Sequence, residues 1–275
     1  MTARTSACVL ALLLPGLSAL TACSDDVGAR VSSDELVIGV SGTDPGLAMV
    51  DERDPRLFSG FEVDLASYVA DGLGWDAGDV SFVIVDAPDR ETALESGTVD
   101  LVVSAYGITE LREERVDLAG PYLVAGQDLL VAEDSRVTGP ASLDGQTVCV
   151  TAGSPDLDRI RAAGLPADAL IREEEDTAAC VDLLLVGEVD AVTSDDALLA
   201  GHAAQHPDQL RVVGSPFSTI YYGIGLPLGS PDVAVVDGLL ARAAADGTWQ
   251  EAVDRHLGTS GYTPPLPPAP GAGAA

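Results

Sequence analysis

Lysine is absent from this sequence: all 14 basic residues are arginines, and they face 44 acidic residues for a formal charge of −30. So much negative charge repels polyphosphates at long range, where a nucleic-acid-binding chain would gain from counterion release, and nucleic acid is excluded as a partner. Cysteine is scarce, at four residues. Metal-ligand clusters, nucleophile elbows and phosphate-binding glycine loops are missing, so no metal or cofactor is expected and the usual enzyme signatures are lacking. The longest apolar stretch, CVLALLLPGLSAL, is too short to cross a bilayer as a mature helix.

That stretch follows Arg4 and ends in LTAC, Leu20 to Cys23. Its form is that of a secretion signal, and the Leu-small-small-Cys ending resembles the lipobox of bacterial lipoproteins. The expectation is a signal peptide over 1–22, lipid on Cys23 and a polar tether over 23–33, which anchors the protein to the outer face of the cell membrane. An ordinary signal peptide with an incidental cysteine is the alternative. With Cys8 and Cys23 accounted for, Cys149 and Cys180 remain in an oxidising compartment and are expected to form a disulfide. A metal site is the rival, but no His or Cys lies at ligand spacing from either.

What is present is a foldable chain. Apolar residues make up 47% of the 275, and 29 glycines and 17 prolines punctuate short periodic runs, as in a globular protein of two compact lobes. ELVIGV, VSFVIV and DLVVSA read as strands separated by helical patterns at Gly60–Gly74 and Arg90–Ser96. This is βαβ grammar and predicts an α/β fold with mostly parallel sheets. An extended crossing at GQDLLVAEDS opens a second alternating set, and YYGIGL closes it. The boundaries expected are 34–127 plus 218–258 for a discontinuous first lobe, 128–217 for the second, and a Pro/Ala-rich disordered tail over 259–275.

Several stretches, taken in order, resemble the polar amino-acid-binding proteins of ABC importers, solute-binding family 3, especially the glutamate/aspartate branch. They are GFEVDLASYVADGLG, DRETALESGTVDLVVSAYGITELREERVDLAGPYLVAGQDLLV, GQTVCVTAGS, GEVDAVTSDDALLAG, and YYGIGLPLGSPD with DGTWQEAVDRHLG. The resemblance implies a two-lobed periplasmic-binding-protein fold of type II, with two hinge strands, an amino-acid ligand and an ABC permease as partner. It assigns Arg112, in ITELR, to the ligand's α-carboxylate, which suits the fixed donor fork of a guanidinium. Asp195 would receive the α-ammonium, and Thr151 and Ser154 in TAGS would supply hydroxyls. Arg90, 22 positions before Arg112, would reach an acidic side chain.

Each assignment has a plainer rival. ELREER alone is a solvated turn, a reading kept for Arg115; Arg90 could be an exposed first-turn residue; Ser154 and Asp195 could be helix caps, and Asp196 is read as one. Two departures from the branch stand out. Ala105 and Gly107 occupy positions where it often has Ser or Thr, leaving backbone donors there, and Asp44 lies in a first loop that lacks an aromatic before Phe58. A sensor subunit, a receptor for another polar amino acid and a dehydratase on the same fold are the competing functions. The last needs a proton donor over the pocket, whereas His202, His206 and His256 are expected on the surface.

Overall fold

The computed structural model describes residues 34–258 and 261–269; Cys23 and the signal and tether segments lie outside them. The chain begins β1 (Leu36–Val40), β2 (Thr43–Asp44), β3 (Ala48–Val50), β4 (Phe58–Ser59), α1 (Phe61–Gly72), β5 (Val80–Ile84), α2 (Arg90–Glu95), β6 (Leu101–Val102), α3 (Glu110–Glu113) and β7 (Val116–Ala125). It continues with β8 (Gln127–Ala132), β9 (Thr147–Thr151), α4 (Asp156–Ala162), β10 (Leu170–Glu174), α5 (Thr177–Leu185), β11 (Ala191–Asp195), α6 (Asp196–Gln205) and β12 (Leu210–Val212). It returns through β13 (Ile220–Pro227) to α7 (Val233–Asp246) and α8 (Thr248–His256).

Two five-stranded sheets result, ordered β5-β1-β6-β13-β7 and β10-β9-β11-β8-β12, with a small β2-β3-β4 sheet beside the first. Each is mixed: four strands run one way, as the expectation of mostly parallel sheets has it, and one strand opposes them, β13 in the first and β8 in the second. β5-β1-β6 and β10-β9-β11 are parallel, but β13 runs antiparallel to β6 and β7, as β8 does to β11 and β12. The cause is connectivity. β7 leaves the first sheet and β13 re-enters it from the opposite direction, after the chain has passed through the whole second lobe.

Each lobe has its own core. α1 turns Phe61, Leu65, Ala66 and Val69 inward, and α7 meets it with Val236, Leu239, Leu240 and Ala243, the helical spacing of one apolar face. α8 is pinned by Trp249, 2% exposed, which stacks edge-on against Phe61 and donates Nε1–H to the Tyr122 carbonyl at 2.7 Å. In the second lobe, Cys149 on β9 and Cys180 on α5 meet in the core, their Cα atoms 5.6 Å apart.

Two expectations need correction. His202 is not on the surface: its place on α6 buries it to 4% exposure, and desolvation lowers its pKa to about 4, so it is a neutral core residue. The tail is not featureless throughout. Tyr262 donates its hydroxyl to Asp196 Oδ1 at 2.9 Å and Pro264 is buried, so the start of the tail, residues 261–265, lies along the second lobe. Composition conceals this because one aromatic anchor suffices to hold a proline-rich strap. Among the described residues no helix is long and apolar enough to cross a membrane.

Candidate functional site

The site grows from short strands that end early. β6 stops at Val102, and at Ala105 the backbone enters the left-handed region with φ 43°. That turn sends Tyr106 into the core at 0% exposure and brings Gly107 alongside β13. Thr109 then caps α3 by accepting the Arg112 N–H, so the turn that carries Arg112 is fixed at its start.

Arg112 folds back over this turn. Its Nη1 donates to the Gly107 carbonyl at 2.6 Å, its Nε lies 3.3 Å from Glu91, and its guanidinium sits 4.9 Å from the centre of the Tyr106 ring. Arg90 approaches the same ring at 5.6 Å and donates to Ser104 Oγ at 3.1 Å. It is 8% exposed, its Nε has no hydrogen-bond partner, and among the described residues it forms no salt bridge. A guanidinium buried without a carboxylate in contact is costly unless an anion joins it. Burial and the neighbouring Arg90 both pull the pKa of Arg112 down, so the two cations already burden one another.

The second lobe answers with negative charge. Asp195 closes β11 where a parallel strand ends, and its Oδ2 accepts from the Tyr222 hydroxyl at 2.6 Å. Burial raises its pKa, opposed by Tyr222, Arg159, Arg90 and Arg112. Asp44, from the first lobe, is also raised by burial and lies within electrostatic reach of Arg90, Asp176 and Asp195; Asp156 is pushed up to about 6 by burial and by Asp195. The cleft thus has an arginine pair at one side and a carboxylate group at the other, a pattern complementary to a dipolar solute.

Some of the expected contacts are made elsewhere. The Ala105 N–H points at Glu62 Oε1, 2.6 Å away, so it is not a donor to the cleft; the left-handed turn aims it inward. Gly107 is adjacent to the cleft but its carbonyl is taken by Arg112. Thr151 Oγ1 lies 3.4 Å from Thr177 Oγ1, where either hydroxyl can be the donor, and Ser154 Oγ accepts the Asp156 N–H at 3.3 Å and hydrogen-bonds the Asp156 carboxylate. Asp196 is no cap: it accepts from Gly126 N–H and Tyr262 instead. Arg115 is the surface residue expected, paired with Glu95 at 2.7 Å.

Four contributors were missed: Glu62, Asp44 as a cleft acid, the Tyr106 platform, and Arg159, which lies 3.5 Å from Asp156 and within electrostatic reach of Arg112. Two had a signal: Glu62, an acid on the buried face of an apolar helix, and Asp44, a departure already singled out in the first loop. A cavity of about 600 Å³ lies away from these groups, between the tail and the second lobe, bordered by Asp128, Asp196, Arg211, Tyr262 and Pro264.

The model of the bacterial extracellular solute-binding proteins, family 3, matches residues 36–259. The chain belongs to this family. The family 3 protein is 36% identical to the glutamate-binding protein GluB of Corynebacterium efficiens, over 94% of this chain and 92% of that one. It is 31% identical to the ABC transporter glutamine-binding protein GlnH of Bacillus subtilis, over 82% of each. The solved structure of an ancestral arginine-binding protein bound to arginine is similar at a TM-score of 0.70 and 28% identity, covering 82% of this chain and 99% of that one. The family and these relatives are binding proteins rather than enzymes, and so is this one.

Proposed function

We propose that this solute-binding protein captures glutamate or aspartate for an ABC permease. Arg112 holds the α-carboxylate, Asp195 the α-ammonium, Thr151 and Ser154 supply hydroxyls, Gly107 lines the α-carboxylate end, and Arg90 holds the distal carboxylate. The observation that carries this reading is the buried Arg90, which has no carboxylate in contact among the described residues. The name of the Corynebacterium efficiens relative supports it. The lobes are 34–127 plus 218–258 and 128–217, hinged at the crossings.

The test is calorimetry on Arg90→Ala. A charge-assisted hydrogen bond contributes roughly 1.5 to 3 kcal/mol, so glutamate and aspartate should weaken by about ten- to a hundredfold. Glutamine, if it binds, should change little. Unchanged glutamate affinity would reject the acidic ligand, and Asp44 would then direct attention to polar or cationic solutes.

The same reading places the protein outside the cell, on a lipid anchor at Cys23 with Cys149 and Cys180 joined. Mass mapping of unreduced, membrane-derived protein should find acyl chains on Cys23 and one linked Cys149–Cys180 peptide. An unmodified Cys23, or two alkylatable thiols in the second lobe, would overturn the corresponding part.

A further inference from the structure

Glu62 sits in the first turn of α1 at 0% exposure. One of its oxygens, Oε1, accepts from both the Ala105 N–H and the Tyr122 hydroxyl; the other, Oε2, is buried with no hydrogen-bond partner. Neither contact belongs to helix capping or to the sheet ladder. What the carboxylate holds is the left-handed residue Ala105, φ 43°, a conformation that costs an L-residue about 1 kcal/mol or more. The next residue is Tyr106, whose ring lies under both Arg90 and Arg112. A path of direct contacts therefore runs from Glu62 through the turn to the two guanidiniums.

We propose that Glu62 is a positioning residue for the cleft, holding the turn that sets Tyr106 beneath the arginine pair, and that it takes up a proton when an anionic solute is captured. The second half rests on the amino-acid reading given above. The charged or titratable groups that face Glu62 are Asp44 from β2, Arg90 from α2, Tyr122 from β7 and Tyr222 from β13. Arg90 is the cation among them. A carboxylate arriving at Arg90 cancels the field that favours ionised Glu62 and adds repulsion of its own, and both changes draw a proton onto the unpartnered Oε2. Burial raises the pKa of Glu62 to about 7, so the uptake falls in the neutral range.

Because the folded pKa is raised above the unfolded value of 4.5, the contribution of Glu62 is complete below pH 4.5 and is lost as pH rises through about 7. Glutamine keeps an acceptor for Ala105 and Tyr122 but cannot titrate.

The experiment is calorimetric titration of glutamate near pH 7 in buffers of different ionisation enthalpy, on the wild type, Glu62→Gln and Glu62→Ala. The wild type should take up at most about half a proton per ligand and lose up to about tenfold in affinity between pH 7 and 8.5. Glu62→Gln should bind with no proton uptake and a flat profile. Glu62→Ala should bind more weakly, and Ala105→Gly added to it should restore part of the loss, since glycine adopts the turn without help. Proton uptake in Glu62→Gln equal to wild type would overturn the linkage. Glu62→Ala binding as wild type, or no rescue by Ala105→Gly, would overturn the positioning role. If the wild type binds no amino acid, the proposed function fails, and melting curves without ligand still decide on Glu62. The melting temperature of Glu62→Gln should gain on wild type from pH 5 to 8, and a constant difference would overturn the assignment.

Discussion

Arg112→Ala is expected to weaken capture of every amino acid severely, whatever its side chain. The guanidinium is held from three directions, by the Gly107 carbonyl, Glu91 and the Tyr106 ring, while its Nη2 atom donates to no described protein group. A fixed fork with a spare edge suits a planar carboxylate. Removing one partner of a buried charge pair costs about 2 to 5 kcal/mol, or roughly thirtyfold to several thousandfold in affinity. The effect should be uniform across glutamate, aspartate and glutamine, unlike that of Arg90→Ala. Calorimetry on the three ligands reads this directly. Glutamine bound at wild-type strength by the variant would show that the α-carboxylate lies elsewhere.

Gly201→Ala should make the protein less stable and a poorer receptor. Gly201 is buried on α6, and a Cβ there would overlap the backbone carbonyl oxygen of Pro45, in the loop between β2 and β3 of the first lobe. Within the helix, alanine is favoured over glycine by about 1 kcal/mol. That gain is outweighed here, because a backbone carbonyl cannot swing aside as a flexible side chain would, and overpacking of this kind costs up to about 3 kcal/mol. The added methyl must push the two lobes apart where α6 meets the first lobe, and capture should weaken by roughly fivefold to a hundredfold. Melting curves and calorimetry read the two effects, and a variant with wild-type melting temperature and affinity would show that the Pro45 contact matters to neither.

The alternation of apolar runs was enough to place most helices and strands, because α1, α7 and the parallel strands each bury a face at regular spacing. The two crossings were legible as extended segments. Their antiparallel pairing was not, since pairing direction depends on where the chain has been rather than on local pattern. ITELR located Arg112 through its family likeness alone, and the structure sets it and Arg90 against the same Tyr106 ring. The direction of the Ala105 N–H could not be read, because it depends on one backbone angle. Asp44 was visible as a misfit; only three-dimensional neighbours show that it faces both Arg90 and Asp195. His202 misled because a polar residue late in a helix usually faces water, and here α6 lies between a sheet and the opposing lobe.

The strap formed by residues 261–265 alters what a label on this protein would report. α8 packs on α1 and α7, so the last helix travels with the first lobe. Four residues beyond Gly258, however, Tyr262 is tied to Asp196, which also accepts the Gly126 N–H where the chain crosses between the sheets. A fluorophore on α8 and one on the strap would thus ride on opposite sides of the hinge although they are close neighbours in sequence. An optical sensor of solute capture could be made from two dyes within the last thirty residues of the chain, and a reporter fused after the strap would follow the second lobe, not the helix that precedes it.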